Sequence, residues 1–181
     1  MTKVLLYSGG MDSYLIDKLW KPDVRIYINI HGSYSEEEIK RLPADVKVID
    51  LPIGIYEQEN KYVPLRNLYF LMIASNYGDE LCYGAVAGDW RQRDKTPEFI
   101  DKAEDMLNYL LGPQSKVDIP RHIHIERKYL YMHKNEILAE YLKEGYTMEA
   151  LYKESFITVF ASHNFLPAGF IIFSGTCPLN R

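Results

Sequence analysis

Six consecutive residues near the start of the chain, Ser8-Gly9-Gly10-Met11-Asp12-Ser13, have the types and spacing of an anion site. Two adjacent glycines let the backbone turn tightly and approach a ligand, because neither has a Cβ. An amphipathic run, Tyr14 to Trp20, follows. The turn therefore delivers free N–H groups at a helix start, where the dipole also favours negative charge. Ser8 and Ser13 add hydroxyl donors. An aspartate in this place would repel a bare phosphate, so Asp12 implies either a Mg2+ ion or an N-terminal capping role. No Gly-Lys-Ser/Thr follows, which excludes the lysine-bearing phosphate loop.

The elements that must position this loop read clearly. Val4 to Tyr7 is a short apolar strand, and Val24 to Ile30 alternates as a second. Ser35 with Glu38 predicts a capping box for a helix through Leu42, and Val46 to Leu51 is a third strand. Pro64 suits a helix first turn, Leu68 to Ala74 is its apolar body, and Gly78 is the expected C-terminal cap. Glu80 to Gly88 reads as a buried fourth strand ending in Gly88-Asp89. Thr96-Pro97-Glu98 opens a helix to Leu111. A fifth strand is expected around His122 to Ile125, then helices over Lys134 to Glu144 and from a Thr147 cap to Glu154. His122 and His124 would share one strand face; no third metal ligand lies nearby, so they read as exposed or hydrogen-bonded side chains. Cys82 reads as a core residue.

Strands separated by helices predict an α/β fold, a parallel five-stranded sheet flanked by helices, with right-handed crossovers. Ligands of such sheets sit beyond the strands' C-terminal ends. The glycine loop, the His31 to Tyr34 loop and the Pro52 to Tyr62 loop should all open on that edge.

The bulk properties narrow the function further. The chain has 181 residues, 47% hydrophobic and 25% charged, with a formal net charge of −4. That suits one domain with a proper core and argues against a nucleic-acid-binding face. No apolar run could span a bilayer, no signal peptide is visible, and two cysteines are too few for a disulfide framework. A cytoplasmic protein is expected.

The string Ser8 to Ser13 resembles the pyrophosphate loop, SGGxDS, of the PP-loop ATP pyrophosphatases (adenine-nucleotide alpha-hydrolase-like, a Rossmann-like fold). Val63-Pro64-Leu65-Arg66-Asn67-Leu68-Tyr69-Phe70-Leu71 resembles the VPxRNxxFL stretch of the 7-cyano-7-deazaguanine synthase family of queuosine biosynthesis. Gly88-Asp89, Asp94 and Pro97-Glu98-Phe99 are similar to that family's GxxxxD…PEF region. The runs Lys134 to Ile137 and Tyr152 to Phe156 look like its lysine-bearing helix and the lead-in to its C-terminal motif.

The resemblance implies ATP-dependent conversion of 7-carboxy-7-deazaguanine and ammonia to 7-cyano-7-deazaguanine through an adenylated carboxylate. It also implies ATP and Mg2+ as cofactors, a purine-like small molecule and ammonia as partners, and no membrane. Ser8, Gly9, Gly10, Met11, Asp12 and Ser13 would hold the pyrophosphate end, with Asp12 on Mg2+. Arg66 would offer a planar cation to phosphate or carboxylate. Asn67 would bond a purine-like edge or a backbone, and Asp89 and Asp94 would accept from the ring or bind the ion. Catalytic roles fall to Asp12, Arg66 and Asp89.

The likeness covers residues 1–156, the synthase domain, and stops there. The family closes with four zinc-binding cysteines; residues 157–181 hold Cys177, and His163 brings the N and S ligands to two, so no zinc site is expected. The run Ala168 to Phe173 could add an edge strand or bury itself in the partner of a homodimer. Two other readings stand beside the synthase: another PP-loop enzyme, amide-forming or thiolating, and a nucleotide-binding relative without catalysis.

Overall fold

The computed structural model describes residues 1–113 and 121–155. In chain order these are β1 (Lys3–Leu6), α1 (Met11–Trp20), β2 (Val24–Asn29), α2 (Ser35–Ile39), β3 (Lys47–Asp50) and a 3-10 turn at Ile53–Tyr56. Then come α3 (Arg66–Ala74), β4 (Glu80–Cys82), 3-10 turns at Ala87–Asp89 and Arg93–Lys95, and α4 (Pro97–Leu111). The described chain closes with β5 (His124–Ile125), a 3-10 turn at Tyr129–Tyr131, α5 (Lys134–Lys143) and α6 (Met148–Glu154). The five strands form one parallel sheet in the order β3-β2-β1-β4-β5. This is the α/β sheet that the alternation of strand and helix patterns predicts.

Side-chain alternation along the strands builds two cores. Val4, Leu6, Ile26, Ile28 and Leu81 pack on one face against Leu71 and Ala74 of α3 and Ile100, Ala103 and Leu107 of α4. Leu5, Tyr7, Tyr27 and Cys82 pack on the other against Leu15 and Ile16 of α1, Ile137 and Tyr141 of α5, and Leu151 of α6. Both faces are covered, as a parallel sheet requires. Cys82 is a core residue, as expected: it is buried, and burial pushes its thiol up to about 12.

The strand order reverses at β1. The chain first runs outward through β2 and β3, then crosses back to β4 and β5 on the opposite side. Such a switch point opens a crevice at the strands' C-terminal ends.

Four local expectations are corrected. The fourth strand is only Glu80–Cys82, not Glu80 to Gly88. Gly84 takes φ +74°, a left-handed conformation that turns the chain off the sheet, and β5 offers just two residues to pair with. The Ser35/Glu38 capping box does not form. Tyr34 is the N-cap, Ser35 Oγ instead accepts from the Gly32 N–H at 3.0 Å, and Glu38 accepts from the Tyr27 hydroxyl at 2.6 Å. That phenol on β2 is buried, which with the Glu38 bond holds it neutral well above its ordinary range. Pro64 lies outside α3, whose N-cap is Leu65. Gly78 is not a helix cap either: a Cβ there would stand 2.4 Å from the Thr2 carbonyl oxygen, so its role is close packing against the start of β1.

Two helix caps and the histidine pair are as the sequence predicts. Thr96 accepts from the Phe99 N–H at 3.2 Å with Pro97 at the first helical position, and Thr147 accepts from the Ala150 N–H at 3.2 Å. His122 and His124 are exposed while Ile123 and Ile125 are buried. Among the described residues no group of three or more His, Cys, Asp or Glu could hold a metal ion, and no helix is long and apolar enough to cross a membrane. Cys177, His163 and the segment 157–181 lie outside the described residues.

Candidate functional site

A cavity of about 320 Å3 opens at the C-terminal end of β1, within the size range of small-molecule sites. Its floor is Leu6 and Tyr7 at the end of β1. Its walls come from the glycine loop and α1, from α3, from β2, and from the segment after β4.

The loop has the geometry its sequence demands. Gly9 takes φ +76°, a conformation open to residues without a Cβ. Gly10 is the N-cap of α1, and no side chain caps the helix. The amides of Met11, Asp12 and Ser13 thus form a first turn without intrahelical acceptors. Ser8 Oγ accepts from the Gly10 N–H at 3.3 Å and lies 3.2 Å from Ser13 Oγ, which donates to the Gly10 carbonyl at 3.0 Å. The two serines brace the turn. Ser8, Gly10, Met11, Asp12 and Ser13 line the cavity; Gly9 shapes the bend behind them.

Asp12 is not a cap. It sits in the first turn and accepts from Lys134 Nζ at 2.7 Å. Its other oxygen, Oδ1, is buried and has no partner among the described residues. Lys134 opens α5, where a capping box fixes it: the His133 N–H donates to Glu136 at 2.6 Å. Tyr14 and Tyr141 pack α1 on α5 with ring centroids 6.1 Å apart, and the Tyr14 hydroxyl donates to Glu154 at 3.1 Å.

Across the cavity stands α3. Its N-cap, Leu65, has φ +61°, a strained conformation for a branched residue that costs about 1–3 kcal/mol. That turn brings Arg66, Asn67 and Phe70 to the wall. Arg66 Nε is buried without a partner among the described residues, and the guanidinium lies 6.0 Å from the Phe70 ring centroid. Asp12 and Arg66 both line the cavity, and each keeps a buried polar atom, the acceptor Oδ1 and the donor Nε, with no partner among the described residues. Leaving such groups unpaired is costly, which is the signature of a site completed by a ligand. A carboxylate oxygen free for a hard cation fits Mg2+, and open helix amides fit phosphate oxygens.

The remaining wall follows β4. Tyr83, Gly84, Ala85, Asp89 and Lys95 line it. Lys95 Nζ donates to Asp89 Oδ2 at 3.3 Å. Asn67, only 5% exposed, donates to the Asp94 backbone carbonyl at 3.2 Å, and the Tyr83 hydroxyl donates to the same oxygen at 3.3 Å. Burial, with Asp94 and Asp89 nearby, raises the Tyr83 phenol and keeps it a neutral donor.

Asp12, Arg66, Asn67 and Asp89 thus meet at one cavity, whereas Asp94 does not line it and contributes its carbonyl as an anchor. Asn67 takes the backbone-bonding alternative. Of the His31 to Tyr34 and Pro52 to Tyr62 loops, neither reaches the lining; Ser33 is tied to Glu57 through its N–H and hydroxyl, both at 3.0 Å. Lys95, Tyr83 and Phe70 are lining residues that site reasoning missed, and Lys134 reaches Asp12 from outside the lining. Phe70, within the VPxRNxxFL-like stretch, and Lys134, in the lysine-bearing run, carried a signal.

Residues 44–157 match the family model described as "Queuosine biosynthesis protein QueC". The chain is 27% identical to 7-cyano-7-deazaguanine synthase 1 of Colwellia psychrerythraea over 179 residues, covering 78% of each chain. It is 28% identical to the 7-cyano-7-deazaguanine synthase of Marinobacter nauticus, covering 78% of this chain and 77% of that one. A predicted subunit of tRNA methyltransferase from Methanocaldococcus jannaschii superposes with a TM-score of 0.49 at 23% identity, over 79% of this chain and 76% of that chain. The family match spans more than half of the residues, and this chain belongs to the QueC family of queuosine biosynthesis proteins, with a PP-loop α/β fold.

Proposed function

We propose that the protein is an ATP-dependent ligase that converts 7-carboxy-7-deazaguanine and ammonia to 7-cyano-7-deazaguanine. A carboxylate is a poor electrophile. Joining it to AMP, with release of pyrophosphate, gives ammonia a leaving group to displace. Acid plus ammonia becomes nitrile by losing two waters through the amide, so the carbonyl must be activated twice. The observation that carries this reading is that two residues of the cavity wall, Asp12 and Arg66, each keep a buried polar atom without a partner among the described residues, beside the open turn of α1.

The first turn of α1, with Ser8 and Ser13, holds the phosphate chain. Asp12, oriented by Lys134, is the residue that would hold Mg2+, which when bound offsets phosphate charge. Arg66 gathers the carboxylate and the α-phosphate into reacting distance, a positioning role that suits phosphoryl chemistry. Incubation with Mg-ATP, ammonia and the deazapurine acid should yield the cyano product by mass spectrometry. AMP release in the absence of that acid, or stimulated instead by tRNA, would replace this reading with another PP-loop activity; ATP bound without turnover over a broad substrate panel would leave a non-catalytic relative.

A further inference from the structure

On the β4 side of the cavity, the Asp89–Lys95 ion pair is built rather than incidental. The Gln92 N–H donates to the Asp89 carbonyl at 3.0 Å, and the Lys95 N–H donates to the Gln92 carbonyl at 3.0 Å. Two successive turns thus set the spacing between the two side chains. Asn67 and Tyr83 then clamp the carbonyl of Asp94, the residue next to Lys95. Trp90 Nε1 donates to the Leu130 carbonyl at 3.1 Å and ties down the opposite side of the turn. Both charged groups are largely shielded, with 24% of the Asp89 side chain and 23% of the Lys95 side chain exposed.

The pair presents two carboxylate acceptors beside an ammonium donor. An ammonium has three N–H bonds to give, and Asp89 takes one. Acceptor, acceptor, donor is the complement of a 2-amino-6-oxopyrimidine edge, which shows two adjacent N–H groups beside a carbonyl oxygen. We propose that Asp89 and Lys95 together read that edge, Asp89 accepting from the ring N–H and 2-amino group and Lys95 donating to the 6-oxo group. The inference rests on the deazapurine reading of the site and assigns Lys95 as its specificity-determining residue.

The test is calorimetry with Mg2+ and a non-hydrolysable ATP analogue, using three acids: 7-carboxy-7-deazaguanine, its analogue lacking the 2-amino group, and 7-carboxy-7-deazaadenine. The wild type should prefer the first over the third by about 100-fold or more, since a site built to bond an edge rejects one that cannot pair. Lys95→Met should weaken binding of the guanine-type acid by about 10- to 100-fold. It should also shrink the preference for a 6-oxo over a 6-amino ring while keeping the preference for the 2-amino group. Asp89→Asn should erase the 2-amino preference, and Lys95→Arg should restore much of the 6-oxo preference. A wild type indifferent to 6-oxo against 6-amino, or a Lys95→Met variant that discriminates fully, overturns the proposal alone. A wild type that binds the ATP analogue but none of the acids overturns the deazapurine reading, and this one with it.

Discussion

Two aspartate–lysine pairs serve one cavity, and they are made in opposite ways. Asp12 and Lys134 are separated by 122 positions and meet at 2.7 Å because α1 packs on α5. Asp89 and Lys95 are six positions apart and meet at 3.3 Å because two short turns bring them together. The first pair is a product of tertiary packing between two ten-residue helices; the second is a product of local backbone bonding. On the proposed function, the difference matches the work of each pair. A group that must hold a charged phosphate chain gains from a rigid two-helix mount, whereas a group that must match the edge of one ring gains from a turn whose side chains can be exchanged without moving the sheet.

The largest test of this contrast is Asp12→Ala. Its buried Oδ1 has no partner among the described residues; on the proposed function it holds Mg2+, and affinity for Mg-ATP should then fall by about 100-fold or more, more than twice the energy of an ordinary hydrogen bond. Calorimetry with and without Mg2+ reads it directly. Unchanged affinity would reduce the α1 pair to a structural link and dissolve the division of labour.

Next in size is Lys134→Met. It strips the partner from a carboxylate whose side chain is only 22% exposed, and leaving such a charge uncompensated costs on the order of 1–3 kcal/mol. Urea unfolding should show that loss without ligand, and Mg2+ should restore part of it by supplying a new partner. The same protocol on Lys95→Met should show a smaller stability change, since local turns hold that region whether or not the ammonium is present. Equal losses in the two variants would mean that the pairs are mounted alike.

The same contrast explains what the sequence revealed. The sheet, the order of elements and the glycine bend rest on short-range patterns, and they are in place. Thr96 and Thr147 cap as written because a cap is decided within four residues. Ser35 fails as a cap because Glu38 finds the Tyr27 phenol across the fold, a contact no local rule contains. Gly78 looks like a helix terminator but is fixed by the Thr2 backbone. In the site, Ser8 to Ser13 were legible as a contiguous string. Lys95 was not, because five residues of turn separate it from Asp89 and nothing in their types announces a shared wall. Asp94, equally acidic, lost its expected place because the turn leaves its side chain out of the lining and uses its carbonyl instead.

A third acid–base cluster supplies the control, and the smallest effect. Glu104 on α4 accepts from both terminal nitrogens of Arg127, at 2.9 and 3.1 Å, and from the Ile125 N–H, outside the cavity lining. Burial acts to raise its carboxyl, but the Arg127 and Ile125 bonds outweigh it and the net shift is below the ordinary 4.5. A carboxyl depressed in the folded chain contributes stability that is complete above the unfolded value and disappears as pH falls through the folded one. Wild type should therefore melt above Glu104→Gln at pH 7, and the gap should close as pH drops below 4.5, while Mg-ATP affinity at pH 7 stays equal in the two. Comparing the pair of proteins at each pH cancels the titration they share. A gap that persists unchanged to pH 3 would show that the cluster stabilises by shape rather than charge, and a shifted ATP affinity would show that an ion pair outside the cavity is coupled to it after all.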